Sequence, residues 1–184
     1  MLRRDLLRVL GGAGIASVLA PFSPEQRLGL GRRLHAAVAS GPPGALAALN
    51  PEQAALVAEL SDLIIPRTDT PGATDVRVVE FIDRILGFWD TDEEREQFLA
   101  GLDALSARAG SAGLAALPAE QKVALLTRLD DATDRPARSA EAAWTRLKSM
   151  VVYGYFTSRE VQEQVLHTAI IPGRYQGCVP GGGA

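Results

Sequence analysis

Few residues in this 184-residue chain are of types that do chemistry, and they do not converge. The two histidines, His35 and His167, lie far apart, and neither sits in a pattern of cysteines or carboxylates. With one cysteine in the chain there is no Cys-x-x-Cys and no Cys-x-x-Cys-His haem attachment, and no His-Glu-x-x-His occurs either. Structural zinc takes four Cys- or His-type ligands, so no metal site is expected. No Gly-x-Gly-x-x-Gly opens a helix and there is no phosphate-binding loop; Gly11-Gly12-Ala13-Gly14 lies in a leader-like stretch. No serine stands in a nucleophile elbow. Asp130-Asp131 and the acidic run Asp90 to Glu94 read as solvated helix ends or polar loops, since carboxylates are favoured near helix N-termini. The sequence thus offers no catalytic residue, no cofactor-binding residue and no metal ligand.

Two features are left. Thr68-Asp69-Thr70-Pro71-Gly72 sets hydroxyls and a carboxylate on a stiff turn. Such groups either hydrogen-bond nearby backbone, as Asp69 and Thr70 are placed to do, or serve as a contact loop for a partner. The second feature is Cys178, near Tyr175 in a segment without helical pattern. In an exported protein a single cysteine has no internal mate, so it is a free thiol or half of an interchain disulfide.

Export itself is an expectation from the first twenty residues. Arg3-Arg4-Asp5-Leu6-Leu7-Arg8 is followed by an uncharged, mildly apolar run from Val9 to Ala20. That run is too short for a hydrocarbon core, which needs roughly 20 helical residues, so it reads as a leader and not an anchor. The Arg3-Arg4 pair points to the twin-arginine route, which carries proteins already folded. Val18-Leu19-Ala20 has the small-residue pattern of a cleavage site, but Pro21 follows it directly. Without Arg3, Arg4, Arg8 and Asp5, the remaining 164 residues hold 16 basic and 21 acidic side chains, a net charge of −5. A mixed acidic surface argues against nucleic acid, which is bound through clustered Lys and Arg. No apolar run of 18 residues exists to span a membrane.

The elements that would carry these residues are helices. Ser23-Pro24-Glu25-Gln26 and Asn50-Pro51-Glu52-Gln53 each combine a capping side chain, a proline at the first helical position and a glutamine three residues on. Pro118-Ala119-Glu120-Gln121 is a looser version. Expected core stripes are Leu56, Leu60, Leu63 and Ile64; Val78, Ile82 and Ile85; Phe98, Leu102 and Leu105; Val123, Leu126 and Leu129; and Trp144, Leu147 and Val151. Thr91 with Glu94 forms a capping box, and Thr157 with Glu160 is expected to cap a last helix bearing Val161 and Val165. No stretch alternates with period two for long enough to be a strand. The fold class is all-α: a single-domain irregular bundle of about five to seven helices with an extended C-terminal arm. Its parts are a leader over 1–20, a helical arm and linker over 21–49, a helical domain over 50–171 and the C-terminal arm over 172–184.

Leu63-Ile64-Ile65-Pro66-Arg67-Thr68-Asp69-Thr70-Pro71-Gly72-Ala73 and Val79-Glu80-Phe81-Ile82-Asp83 resemble the signature region of the gluconate 2-dehydrogenase subunit 3 family. Tyr153-Gly154-Tyr155-Phe156-Thr157-Ser158 and Ile171-Pro172-Gly173-Arg174-Tyr175-Gln176-Gly177-Cys178 resemble its C-terminal half, and the leader resembles its leader. Gln162-Glu163 depart from the glycine-containing helix start of many relatives. The resemblance implies a small subunit without chemistry of its own, in a dehydrogenase complex on the periplasmic side of the inner membrane. There a large FAD-bearing subunit of the glucose-methanol-choline type oxidises a sugar, sugar acid or alcohol, and a multihaem cytochrome c takes the electrons. The small subunit would supply the signal read by the twin-arginine translocase and escort the flavoprotein across. Thr68, Asp69, Thr70, Pro71, Gly72, Tyr153, Tyr155, Phe156 and Tyr175 are then the expected partner contacts, and Cys178 the expected interchain bridge. The alternative is a stand-alone exported helical binding protein.

Overall fold

A computed structural model describes residues 23–110, 113–132 and 134–167. The expected leader with Arg3 and Arg4, and the C-terminal arm with Tyr175 and Cys178, lie outside the described residues. Within them there are seven α-helices and no strand. They are α1 (Pro24–Ala39), α2 (Pro51–Ile64), α3 (Val78–Phe88), α4 (Asp92–Arg108), α5 (Ala119–Asp130), α6 (Ala140–Thr157) and α7 (Arg159–Gln164), with 3-10 turns at Thr74–Val76 and Leu114–Ala116. The protein is all-α.

The helix starts form as the side chains dictate. Ser23 with Gln26, Asn50 with Gln53, and Thr91 with Glu94 each close a reciprocal capping box, satisfying two otherwise orphaned donors. Pro118 opens α5 without a side-chain cap. The last helix is capped by Ser158, whose Oγ accepts from the Val161 amide; Thr157 instead ends α6, its hydroxyl donating to the Tyr153 carbonyl at 2.7 Å.

The bundle is built around α6, which packs against α1, α2, α3, α4, α5 and α7. Small residues let it do so. A Cβ on Gly101 of α4 would stand 2.7 Å from the Ala143 Cβ, and one on Gly154 of α6 would stand 2.7 Å from the Phe81 ring. Phe81, Ile82, Leu102, Leu105, Leu129, Leu147, Met150 and Val151 are fully buried between these helices.

Two expected stripes are rotated. On α2 the inward face is Gln53, Val57, Leu60 and Ser61, while Leu63 is exposed. The polar members are affordable there because the Ser61 hydroxyl donates to the Val57 carbonyl and Gln53 donates to Asp103 on α4. On α5 only Leu126 and Leu129 are buried, and Val123 is 59% exposed. That helix rests chiefly on α6, so a narrower face suffices.

The helix before Asn50 is no detached arm. Leu34 and Val38 of α1 join the common core, and Gly31 crosses so close to Thr157 that an added Cβ would lie 2.3 Å from its Cβ. The linker after α1 is held by Asp83, which is only 5% exposed. Its carboxylate accepts from the amides of Ala47, Ala48 and Leu49 at 2.9, 2.8 and 2.9 Å. A buried charge needs such donors around it.

Candidate functional site

The turn between α2 and α3 is braced at several points near an exposed surface. Ile65 ends α2 by donating to the Ser61 carbonyl, and the Ala73 amide returns to the Ile65 carbonyl at 3.0 Å, closing the loop. Inside it the Thr68 amide donates to the Thr70 carbonyl at 3.1 Å, and the Thr70 amide donates to the Thr68 Oγ1 at 3.4 Å. Asp75 ties the far side: it pairs with the Arg67 guanidinium and accepts from the Gly72 amide at 2.7 Å. Thr74 donates through both its amide and its hydroxyl to Asp62 on α2, at 3.1 and 2.9 Å. Gly72 is required by space, since a Cβ there would lie 2.9 Å from the Arg67 nitrogen. Behind the loop stands Tyr155, 4% exposed, its hydroxyl donating to the Pro71 carbonyl at 2.8 Å.

The bracing therefore comes from Asp75, Asp62 and Tyr155, where Asp69 and Thr70 were expected to do it. Asp69 is exposed and makes no hydrogen bond or ion pair among the described residues. Thr68 and Asp69 are held out to solvent on a backbone fixed from behind. This arrangement can bind through a preformed surface, with little ordering left to do on contact.

The aromatic cluster after Met150 splits in three directions. Tyr153 turns to α1, donating to the Arg27 carbonyl at 2.8 Å and meeting Phe81 edge-on at 5.7 Å. Burial pushes its phenol up to about 12, against a smaller opposite pull from the Gly31 backbone. Tyr155 turns to the Pro71 loop, as above. Phe156 stays 43% exposed, its ring perpendicular to that of Tyr155 at 5.2 Å. Tyr153 and Tyr155 thus shape the surface from behind, and Phe156 is the member that reaches it.

Three polar sites were missed by the sequence reading. His35 stacks on Phe81 at 4.5 Å and its Nε2 lies 2.8 Å from the Gly154 carbonyl, so the ring joins α1, α3 and α6. Burial holds its pKa below the ordinary value, opposed by the Gly154 carbonyl and by Glu160. Asp90, read as part of a solvated acidic run, accepts from Arg146 of α6 at 2.6 and 2.5 Å, with Arg146 also over the Phe98 ring. Burial raises the Asp90 pKa in spite of that partner. Asp130, read as a solvated helix end, accepts from the Trp144 indole at 2.8 Å and pairs with Lys148. Asp83 was missed as well: Glu80 and Arg84 stand in the same helix, so nothing local singles it out. The other partners are far apart in sequence and leave no local trace. Among the described residues no three metal-ligating side chains gather.

Residues 51–173 match the family model described as gluconate 2-dehydrogenase subunit 3. The chain belongs to that family. Neither the curated proteins nor the solved structures provide a match. The matched span opens on Pro51, the first residue of α2, so it contains the braced turn, Asp83 and the whole of α6. Helix α1 lies outside it although it shares the core. Gly173 closes it, which leaves Tyr175 and Cys178 beyond the family span. As a gluconate 2-dehydrogenase subunit 3, the protein belongs with a dehydrogenase complex as one of its subunits.

Proposed function

We propose that this chain is a non-catalytic small subunit that stabilises and escorts the large subunit of a flavin-dependent sugar, sugar-acid or alcohol dehydrogenase. In this reading FAD resides on a large partner of the glucose-methanol-choline type and haem c on a cytochrome partner. Arg3 and Arg4 supply the twin-arginine address, and the folded pair crosses together to the periplasmic side of the inner membrane. The observation that carries the reading is the preformed turn at Pro66–Pro71, inside the family span and presenting Thr68 and Asp69 on a fixed backbone. The exposed Leu63, one turn earlier on α2, supplies an apolar neighbour. Cys178 and Tyr175 are proposed to add grip, Cys178 through a disulfide to the large subunit.

The experiment is a pull-down of the tagged chain from native cell envelope, read by absorption spectrum and by non-reducing gel. A yellow partner of several hundred residues is the expected result, with a reducible band that disappears in Cys178→Ser. Replacing both Arg3 and Arg4 by Lys should leave the partner's flavin activity in the cytoplasm. A colourless chain recovered alone would overturn the subunit reading in favour of a stand-alone binding protein. Flavin activity that still reached the periplasm in the Lys variant would overturn the escort role.

A further inference from the structure

Helix α1 is attached to the bundle differently from the other long helices. Of its residues only Gly31, Leu34 and Val38 are buried, whereas α6 buries Trp144, Leu147, Met150, Val151 and Tyr155 among others. Its polar ties end on backbone carbonyls. Tyr153 donates to the Arg27 carbonyl at 2.8 Å and Arg84 to that of Ala37 at 2.9 Å, while His35 Nε2 lies 2.8 Å from the Gly154 carbonyl. A segment with few buried apolar side chains opens at a lower free energy than the whole fold.

The chain on either side of the α1–α2 linker is built for such an opening. Ser40 ends α1, and Pro42, Pro43, Gly44 and Ala45 are exposed, with Gly44 at φ 74°, which glycine adopts freely. Just beyond, Asp83 holds the amides of Ala47, Ala48 and Leu49, and the Asn50–Gln53 capping box starts α2. The α2 side of the linker is thus fixed by bonds that α1 does not share. The family span begins at Pro51, so the helices from α2 onward form the family's domain without α1.

We propose that α1 is a strap, which opens and reseats as one unit about the Gly41–Gly44 hinge while the helices from α2 onward stay folded. Opening bares the face of α3 and α6 around Phe81, Gly154 and Thr157. The strap is also the joint through which everything before Ser23 is attached to the bundle. It is a property of the chain itself, whatever complex the chain joins.

Two glycines of α1 separate its seat from its helix. A Cβ at Gly31 would fall 2.3, 2.4 and 2.5 Å from the Cβ, Oγ1 and Cγ2 of Thr157, whereas one at Gly29 meets nothing within 4 Å. Thr157 is buried and its hydroxyl is committed to the Tyr153 carbonyl, so it cannot swing aside. Alanine favours helix over glycine at both positions.

Native-state amide exchange of the full-length chain, at a series of low guanidinium concentrations, tests the strap. Protection over Leu34 to Val38 is expected to be at least roughly tenfold below that over Leu102 to Leu105 and Leu147 to Val151, and to depend little on denaturant. Equal protection and equal denaturant dependence in all three segments would make the chain one cooperative unit and overturn the proposal. Gly31→Ala should lower protection over Leu34 to Val38 by a further factor of roughly ten and leave α4 and α6 within about twofold. Gly29→Ala should leave α1 unchanged or better protected. Equal effects of the two substitutions, or loss of the whole fold in Gly31→Ala, would likewise overturn it.

Discussion

The Tyr155 hydroxyl donates to the Pro71 carbonyl at 2.8 Å, and through this bond the central helix holds the exposed turn from behind. The ring is buried and the carbonyl belongs to the turn's proline, which has no amide of its own to offer the surroundings. Removing the hydroxyl leaves a half-buried acceptor without its donor while the rest of the ring still fills its place. Tyr155→Phe should therefore lower stability by about 1 kcal/mol, or about 3 °C in the thermal midpoint. Its stronger effect should be local. Amide exchange at Thr68 and Gly72 should accelerate by more than the global loss accounts for, and recovery of the large subunit in a pull-down should fall. Unchanged exchange in the turn would mean that Asp75 and Asp62 hold it without help from α6.

Asp83 of α3 holds the linker after α1 in the same way. Its Oδ1 accepts from Ala48 and Leu49 and its Oδ2 from Ala47. In Asp83→Asn one oxygen becomes an amide that donates, so one side of the carboxamide faces an N–H with an N–H of its own. The charge that strengthened all three bonds is also gone. The expected cost is about 2–3 kcal/mol, seen as a lower thermal midpoint with faster exchange at Ala47 to Leu49. A variant as stable as the unsubstituted protein would show that water satisfies those amides equally well.

The parts of this fold that were legible in sequence are those whose cause is local. Capping boxes at Ser23, Asn50 and Thr91 depend on residues three apart, and each formed as expected. The stripes Val78–Ile85, Phe98–Leu105 and Trp144–Val151 depend on spacing within one helix, and all three are buried. What failed depends on the neighbour. Leu63 and Val123 satisfy helical spacing but stay exposed, while Gln53 and Ser61 go inward because partners exist for their polar atoms. The turn at Pro66–Gly72 was legible as a stiff loop. Its bracing by Tyr155, 84 residues from Pro71, was not. The same holds for His35, whose hydrogen-bonding partner lies 119 residues away.

His35 carries a pH dependence whose sign follows from its burial. Its folded pKa lies below the ordinary 6.5, with burial outweighing the Gly154 carbonyl and the attraction of Glu160. As pH falls, the unfolded chain takes up this proton before the folded one does. Stability linked to His35 is therefore fully present above about 6.5 and is lost progressively as pH falls from there through the folded pKa. Asp90 runs the other way: its pKa is raised by burial, so its linkage favours the folded state as pH falls towards the ordinary 3.8. The Tyr153 phenol, at about 12, stays neutral across the whole interval. The two contributions separate by substitution. His35→Gln keeps a side-chain N–H within reach of the Gly154 carbonyl but cannot take up a proton. Thermal unfolding of both proteins from about pH 7.5 down to about pH 5 should show the steeper decline in the unsubstituted chain. The loss should be concentrated in α1, because the ring is what joins that helix to Phe81 and Gly154. Amide exchange over Leu34 to Val38 in the same pH series reads that directly. Parallel declines in the two proteins would place the titrating group elsewhere than at His35.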